Sequence, residues 1–237
     1  MRFSAPIFRL KRQARLLARR QGIPLNQALD RVASEEGFRS WSHLASTCSE
    51  QRASDRILGK LSAGDLLLLG ARPGHGKTLL GLELAASARD LGRTGIFFTL
   101  NDNERDVLDR LATIGAERKR GSAFVIVDTS DEICADYVIA RLGKTEDDAL
   151  AVIDHLQLLD QRRSTPDLAT QIRALKSYAE ASGAIVVTIS QIDRGFELTG
   201  KRVPDVSDVR LPNPLDLTVF DKTCFLHAGE VLLETAA

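Results

Sequence analysis

The chain has 237 residues with 32 basic and 32 acidic side chains, a formal charge of zero, and it is 43% hydrophobic and 27% charged. That composition excludes general disorder, and no apolar run approaches the ~20 residues that cross a bilayer. The opening Met1-Arg-Phe-Ser-Ala-Pro lacks an apolar signal core, and the widely spaced Cys48, Cys134 and Cys224 fit neither a disulfide framework nor a metal-ligand pattern. The expectation is a soluble cytoplasmic protein without a membrane partner, built as one large domain plus a small appendage.

Taken in chain order, the elements begin with a basic segment. Arg2, Arg9, Lys11, Arg12, Arg15, Arg19 and Arg20 occur without an intervening acidic residue, while Leu10, Ala14, Leu17 and Ala18 recur at helical spacing. The pattern predicts a basic amphipathic helix that Gly22 ends. Ile23-Pro24 opens a second segment whose apolar stripe is Leu25, Ala28, Leu29 and Val32, and after Gly37 the residue Ser40 is placed to cap a third short helix. Residues 1–48 thus read as a small helical unit, 49–56 as a polar linker, and 57–237 as a separate core. Two readings of the basic helix stand side by side: contact with nucleic-acid phosphates, or a solvated face that docks on an acidic partner. Trp41 likewise reads either as a base-stacking residue or as the core of the small unit.

From Gly64 onward, the apolar runs 65–70, 95–100, 123–128, 149–154 and 184–190 are continuous, as in strands covered on both faces. Helical stretches over 78–90, 104–114, 136–142 and 166–182 fall between them. The pattern is α/β with a mostly parallel sheet. Leu217–Leu226 and Val231–Glu234 read as a closing antiparallel β-hairpin.

After the first strand comes a loop of Gly70, Ala71, Arg72, Pro73, Gly74, His75, Gly76, Lys77 and Thr78, followed by an apolar helix. It fits the template G-x-x-x-x-G-K-[ST], with Ala71 in the first glycine position. Gly74 and Gly76 let backbone N–H groups turn inward toward an anion, and the helix adds the positive end of its dipole. Lys77 is expected to reach the β- and γ-phosphates of ATP, and Thr78 to ligate Mg²⁺. Asp154, closing the run 149–154, is expected beside Thr78 as the second metal residue. Asp128, closing 123–128, competes for that role, and the residues after Asp154 favour the former.

Gly70-Ala-Arg-Pro-Gly-His-Gly-Lys-Thr resembles the phosphate loop of the replicative hexameric helicases of the DnaB family, within the RecA-like ATPases. Ile153-Asp-His-Leu-Gln-Leu158 is similar to that family's Walker B segment, and Ser190-Gln-Ile-Asp-Arg194 to its Ser-Gln-Leu-Asn-Arg sensor segment. Lys201-Arg-Val-Pro and Ser207-Asp-Val-Arg210 are similar to its Lys-Arg-Pro and Ser-Asp-Leu-Arg stretch. The segments keep the family's order over about residues 55–235. The resemblance implies a RecA-like, ATP-binding core that acts in DNA replication or another DNA transaction, as a homo-oligomer or part of a larger helicase-like assembly. It makes Gln191 the γ-phosphate sensor and places Arg194, Lys201, Arg202 and Arg210 on or near loops that meet single-stranded DNA.

Three departures qualify that expectation. Where the family's second strand ends in a water-polarising glutamate, this chain has Asn101, and an amide cannot accept a proton at neutral pH. General-base help is worth about 10²–10⁴-fold; Asp102 and Glu104 are the nearby carboxylates that could substitute. The family's arginine finger follows its last strand in a Lys-x-Arg stretch, whereas here the sequence reads Leu233-Glu-Thr-Ala-Ala237. The family's N-terminal collar is replaced by the small basic unit. The expectation is a slow ATPase or, alternatively, a slow or inactive nucleotide-binding switch that gates a protein partner and unwinds nothing itself. Among the remaining candidates, His75 reads as solvent filler and His155 as a packing or water contact. His43 and His227 lack metal partners in the sequence, Arg110 and the run Glu117–Arg120 read as surface, and Asp147-Asp148 as a polar turn.

Overall fold

The computed structural model describes residues 7–44, 53–114, 125–145, 148–160, 165–211 and 213–235. Arg2, Cys48, the run 117–120, Asp147, residues 49–52 and the side chain of Arg9 lie outside the described residues. The chain divides into two compact units, Met1–Arg56 and Ile57–Ala237.

In the first unit, α1 (Ile7–Gln21) and α2 (Leu25–Glu35) are followed by a helical turn at 41–44. Leu10, Ala14, Ala28, Val32, Phe38 and Leu44 form its core, and Leu17, Ala18 and Trp41 pack against it. Trp41 is therefore part of the packing of this unit. Gly22 ends α1 in the left-handed region (φ 61), and Ser40 Oγ accepts from the His43 N–H at 3.2 Å as the cap of the third turn. Lys11, Arg12, Arg15, Arg19 and Arg20 are all exposed on α1. Like charges three and four residues apart on a helix cost about 0.2–0.5 kcal/mol per pair. The short α3 (Ala53–Leu58) occupies the end of the segment read as a linker; its Ile57 and Leu58 are buried.

In the second unit, the continuous apolar runs become strands buried on both faces. Among the described residues, β1 (Leu66–Ala71), β2 (Thr94–Thr99), β3 (Val125–Asp128), β4 (Ala149–Asp154), β5 (Ile185–Gln191), β6 (Lys222–His227) and β7 (Glu230–Thr235) form one sheet in the order β3-β2-β4-β5-β1-β6-β7. All pairs are parallel except β6 with β7. Helices α4 (Lys77–Ser87), α5 (Glu104–Thr113), α6 (Ala135–Leu142) and α7 (Leu168–Ser182) make the crossovers. Leu66, Leu67, Leu68 and Leu69 are each fully buried, and such a side chain contributes roughly 1.5–3 kcal/mol. At Gly95 a Cβ would lie 1.9 Å from the Ala85 carbonyl oxygen, so a glycine is what lets α4 lie this close to β2.

The architecture matches the α/β expectation, C-terminal hairpin included. One element differs: Leu217–Val219 is a 3₁₀ turn and not the start of a strand. The Asp216 carboxylate accepts from both the Thr218 N–H (3.0 Å) and its hydroxyl (2.7 Å), holding the backbone in a turn until Lys222. Among the described residues, no helix is long and apolar enough to cross a membrane.

Candidate functional site

The sheet order decides what can meet. β5 lies between β1 and β4, so the C-terminal ends of three neighbouring parallel strands carry the 70–78 loop, Gln191 and Asp154 to one edge. Such an edge is where open α/β sheets bind ligands.

The loop leaves β1 at Ala71 and enters α4 at Lys77. Gly74 (φ 79) and Gly76 (φ 86) adopt the left-handed backbone that glycine permits, and Gly76 is the N-cap of α4. The free N–H groups of the first turn of α4 therefore face the loop. Thr78 Oγ1 donates to Asp154 Oδ2 at 2.6 Å. Asp154 is 3% exposed, and burial pushes its carboxyl above the ordinary range, although the Thr78 hydrogen bond and the Lys77 charge both pull the other way. Lys77 is half-buried and pairs with no carboxylate among the described residues. A buried carboxylate next to a hydroxyl, with an anion cradle beside them, is an oxygen donor set that suits Mg²⁺, which takes one or two protein oxygens and completes its shell with phosphate and water.

Asp128, the competing candidate, is held elsewhere. It accepts from Tyr137 Oη (3.1 and 3.2 Å), Arg141 Nε (2.9 Å) and the Ser130 N–H (3.1 Å).

Gln191 extends β5 beside Ala71 and is half-buried. With His155, Gln157 and Arg210 it lines a cleft of about 210 Å³. Asn101 follows β2, whose Thr99 lies opposite Asp154, and its Nδ2 is 2.8 Å from His155 Nδ1. Burial lowers the His155 pKa against the pull of the Asp154 charge, so the ring is neutral at pH 7. The position at the end of β2 thus holds a neutral amide–imidazole pair. Asp102 is bound to Arg110 Nη2 at 2.8 Å, and Glu104 is exposed in the first turn of α5, which Asn103 caps. Neither Asp102 nor Glu104 makes a hydrogen bond to Asn101 or His155.

Other side chains have partners that the sequence does not reveal. The Arg72 guanidinium turns away from the loop to Glu197 Oε1 (2.9 Å) and the Ile192 carbonyl (3.2 Å), leaving its backbone to the cradle. His75 is not solvent filler: its ring stacks on His227 with centroids 4.9 Å apart, and Phe196 meets His227 edge-on at 4.9 Å. Burial, the neighbouring His227 and Arg72 lower the His75 pKa. Of the four cations assigned to DNA, Lys201 is engaged by Asp205 (2.8 Å) and Asp208 (2.9 Å), and Arg202 by Glu230 (2.6 Å); these bonds raise both pKa values. Arg194 and Arg210 are exposed. No sequence signal links Arg72 to Glu197 or His75 to His227, since each pair joins distant segments.

Comparison with known proteins bears on the sequence and the fold. The family model described as DnaB-like helicase C terminal domain matches residues 116–216. The chain is 26% identical over 189 residues to the replicative DNA helicase DnaB of Leifsonia xyli subsp. xyli, an alignment covering 66% of this chain and 41% of that protein. Across the first three such relatives the chain spans 41%, 21% and 44% of their lengths. Its fold superposes on a solved KaiC-like protein from the archaeon Pyrococcus horikoshii with a TM-score of 0.54 at 18% identity, covering 73% of this chain and 80% of that one. It also superposes on a DnaB-like replicative helicase, solved in a study of its interactions with primase, with a TM-score of 0.60 at 17% identity, covering 97% of this chain and 70% of that one. In sequence and in fold, this chain resembles the RecA-like P-loop ATPase that forms the C-terminal domain of the DnaB replicative helicases.

Proposed function

We propose that this chain binds ATP with Mg²⁺ and is a slow, DnaB-helicase-like ATPase of DNA replication or another cytoplasmic DNA transaction. The observation that carries the reading is the 2.6 Å contact between Thr78 Oγ1 and Asp154 Oδ2, beside the Lys77 ammonium and the glycine-bent loop. In this reading the loop amides and Lys77 cradle the phosphates, and Thr78 and Asp154 hold the metal. Bound Mg²⁺ supplies charge neutralisation at the β- and γ-phosphoryl oxygens. Gln191 faces the γ-phosphate from β5 and links it to the 192–211 segment, because the Gln191 carbonyl accepts from the Arg210 N–H at 2.8 Å. Arg194 and Arg210 are the core cations left to meet single-stranded DNA, and oligomerisation would follow the helicase pattern.

A second reading is favoured by one specific contact set. Asn101 bonded to His155 leaves no carboxylate at the water-polarising position, while Arg72 ties the loop to Glu197. Nucleotide binding could then order residues 192–211 and gate a protein partner with little turnover. Steady-state ATPase with and without single-stranded DNA, alongside equilibrium binding of a fluorescent ATP analogue, separates the two. DNA-stimulated turnover selects the motor, and tight binding without turnover selects the switch. Lys77→Ala removes the main fixed charge opposite the phosphates and is expected to weaken nucleotide binding about 10- to 100-fold. Unchanged affinity in that variant would refute both readings.

A further inference from the structure

We propose that the outward face of α1 is a docking surface for the backbone of double-stranded DNA. This goes beyond the nucleotide-binding reading and lies in the first unit, outside residues 116–216. At 3.6 residues per turn, Arg12, Arg15 and Arg19 project opposite the buried Leu10 and Ala14, along roughly 10 Å of helix, with Lys11 and Arg20 flanking them. All five are exposed, and none meets a carboxylate among the described residues. The contrast with the second unit is direct: Lys201 and Arg202 there are each held by acidic side chains.

Charge counts point the same way. Residues 1–56 carry eleven basic and five acidic side chains, a formal +6, which leaves −6 on the rest of the chain. A helix face that merely faces water is cheapest with both signs interspersed, as on α2, which mixes Asp30, Arg31 and Glu35. α1 has only cations, whose mutual repulsion a polyanion relieves.

The chemistry narrows the polyanion. Among the described side chains, the apolar stripe of α1 is consumed in its own unit's core and the outward side carries one apolar residue, Leu16 (54% exposed), so these side chains form no apolar face to insert into a bilayer. Four of the five cations are arginines, whose planar forks match phosphate oxygens. Single-strand binders pair charge with exposed aromatic platforms. Among the described side chains, Phe38 is buried, Trp41 packs against the core, and no aromatic ring stands on this face. A face dominated by cations, with no described stacking ring, is best matched by the duplex, which carries one negative charge per ~1.7 Å.

The test uses the 237-residue chain and a labelled 20-base-pair duplex of mixed sequence, with anisotropy read over a salt series. The triple variant Arg12→Gln/Arg15→Gln/Arg19→Gln is expected to bind at least a hundredfold more weakly near ~0.1 M salt. The slope of log K against log salt should shrink by about 2.7, nine-tenths per lost phosphate contact. Arg15→Gln alone, an exposed single change that leaves the fold intact, should cost roughly eightfold. Binding of the fluorescent ATP analogue should be unaltered in both, so failure here is distinguishable from failure of the nucleotide reading. Unchanged duplex affinity and slope overturn the proposal. So does tighter binding of a single strand or of polyglutamate than of the duplex, or a loss confined to anionic vesicles.

Discussion

β3 closes on Val125-Ile-Val-Asp128 and β4 on Ala151-Val-Ile-Asp154, and both terminal carboxylates are buried, 6% and 3% exposed. Their surroundings differ. Asp128 is ringed by a guanidinium, a phenol and a backbone N–H, so its charge is matched from within the fold. Asp154 meets one hydroxyl and feels Lys77 without bonding to it, and burial leaves its pKa raised. Burying a carboxylate costs several kcal/mol unless cations or donors offset it. The same strand ending is therefore a finished structural joint at β3 and, in the proposed reading, a cation site at β4. What separates them is contributed by other elements: Arg141 and Tyr137 on α6 for the first, Thr78 on α4 for the second.

Exchanging each carboxylate for its amide is the sharpest way to break this comparison. Asp154→Asn keeps the acceptor for Thr78 but loses the charge. It should reduce Mg²⁺-dependent tightening of nucleotide binding by about tenfold to a hundredfold, with a melting temperature equal to or above the parent's. Asp128→Asn should spare nucleotide binding and cost about 1–2 kcal/mol, discounted because Arg141 is 41% exposed, or several degrees of melting temperature. Calorimetric melts and nucleotide titrations with and without Mg²⁺ read both. Equal losses of binding in the two variants would erase the distinction.

β2 supplies a third strand ending, and it sharpens the contrast further. Asn101 can orient through its amide but cannot take a proton, and its partner His155 is also neutral. Asn101→Glu places a carboxylate beside His155 and, if the base limits the rate, should raise single-turnover ATP hydrolysis at least about tenfold, short of the full 10²–10⁴ because the site was not built around it. Rates equal to the parent's would mean that something other than this position limits turnover.

The sheet was legible in the sequence because runs such as Leu66–Leu69 and Val186-Val187 are apolar without alternation, a pattern that only double-sided burial explains. The 70–78 loop was legible because its glycines and Lys77-Thr78 sit between a strand and a helix. The strand expected from Leu217 was not, because the Asp216 turn overrides an otherwise strand-like run. In the sequence the residues after Asp154 favour it over Asp128, whereas the structural difference between the two, Arg141 on Asp128, joins residues thirteen apart on different elements. Contacts like Arg72–Glu197, 125 residues apart, depend on how the 194–198 turn packs through Phe196 onto Phe225, which no local pattern encodes.

The His75–His227 stack allows the smallest of these tests, and its sign follows from proton counting. The folded state lowers the His75 pKa, through burial first and then through His227 and Arg72, so the native protein prefers the neutral ring. As pH falls through the ordinary histidine range near ~6.5, the unfolded chain takes up this proton before the folded one does. Stability from this group is therefore complete above that range and declines toward the lowered folded value. A proton on His75 would also face His227 across a 4.9 Å stack. Because the ring is only partly buried, the effect should be modest, and the useful quantity is a difference of differences. Melting temperatures of parent and His75→Gln, compared at about pH 7.5 and about pH 5.5, should converge on acidification, since the variant lacks the titrating ring. Parallel pH curves for the two proteins would show that the stack tolerates protonation and that the neutral ring is not what joins the loop to the β6–β7 hairpin.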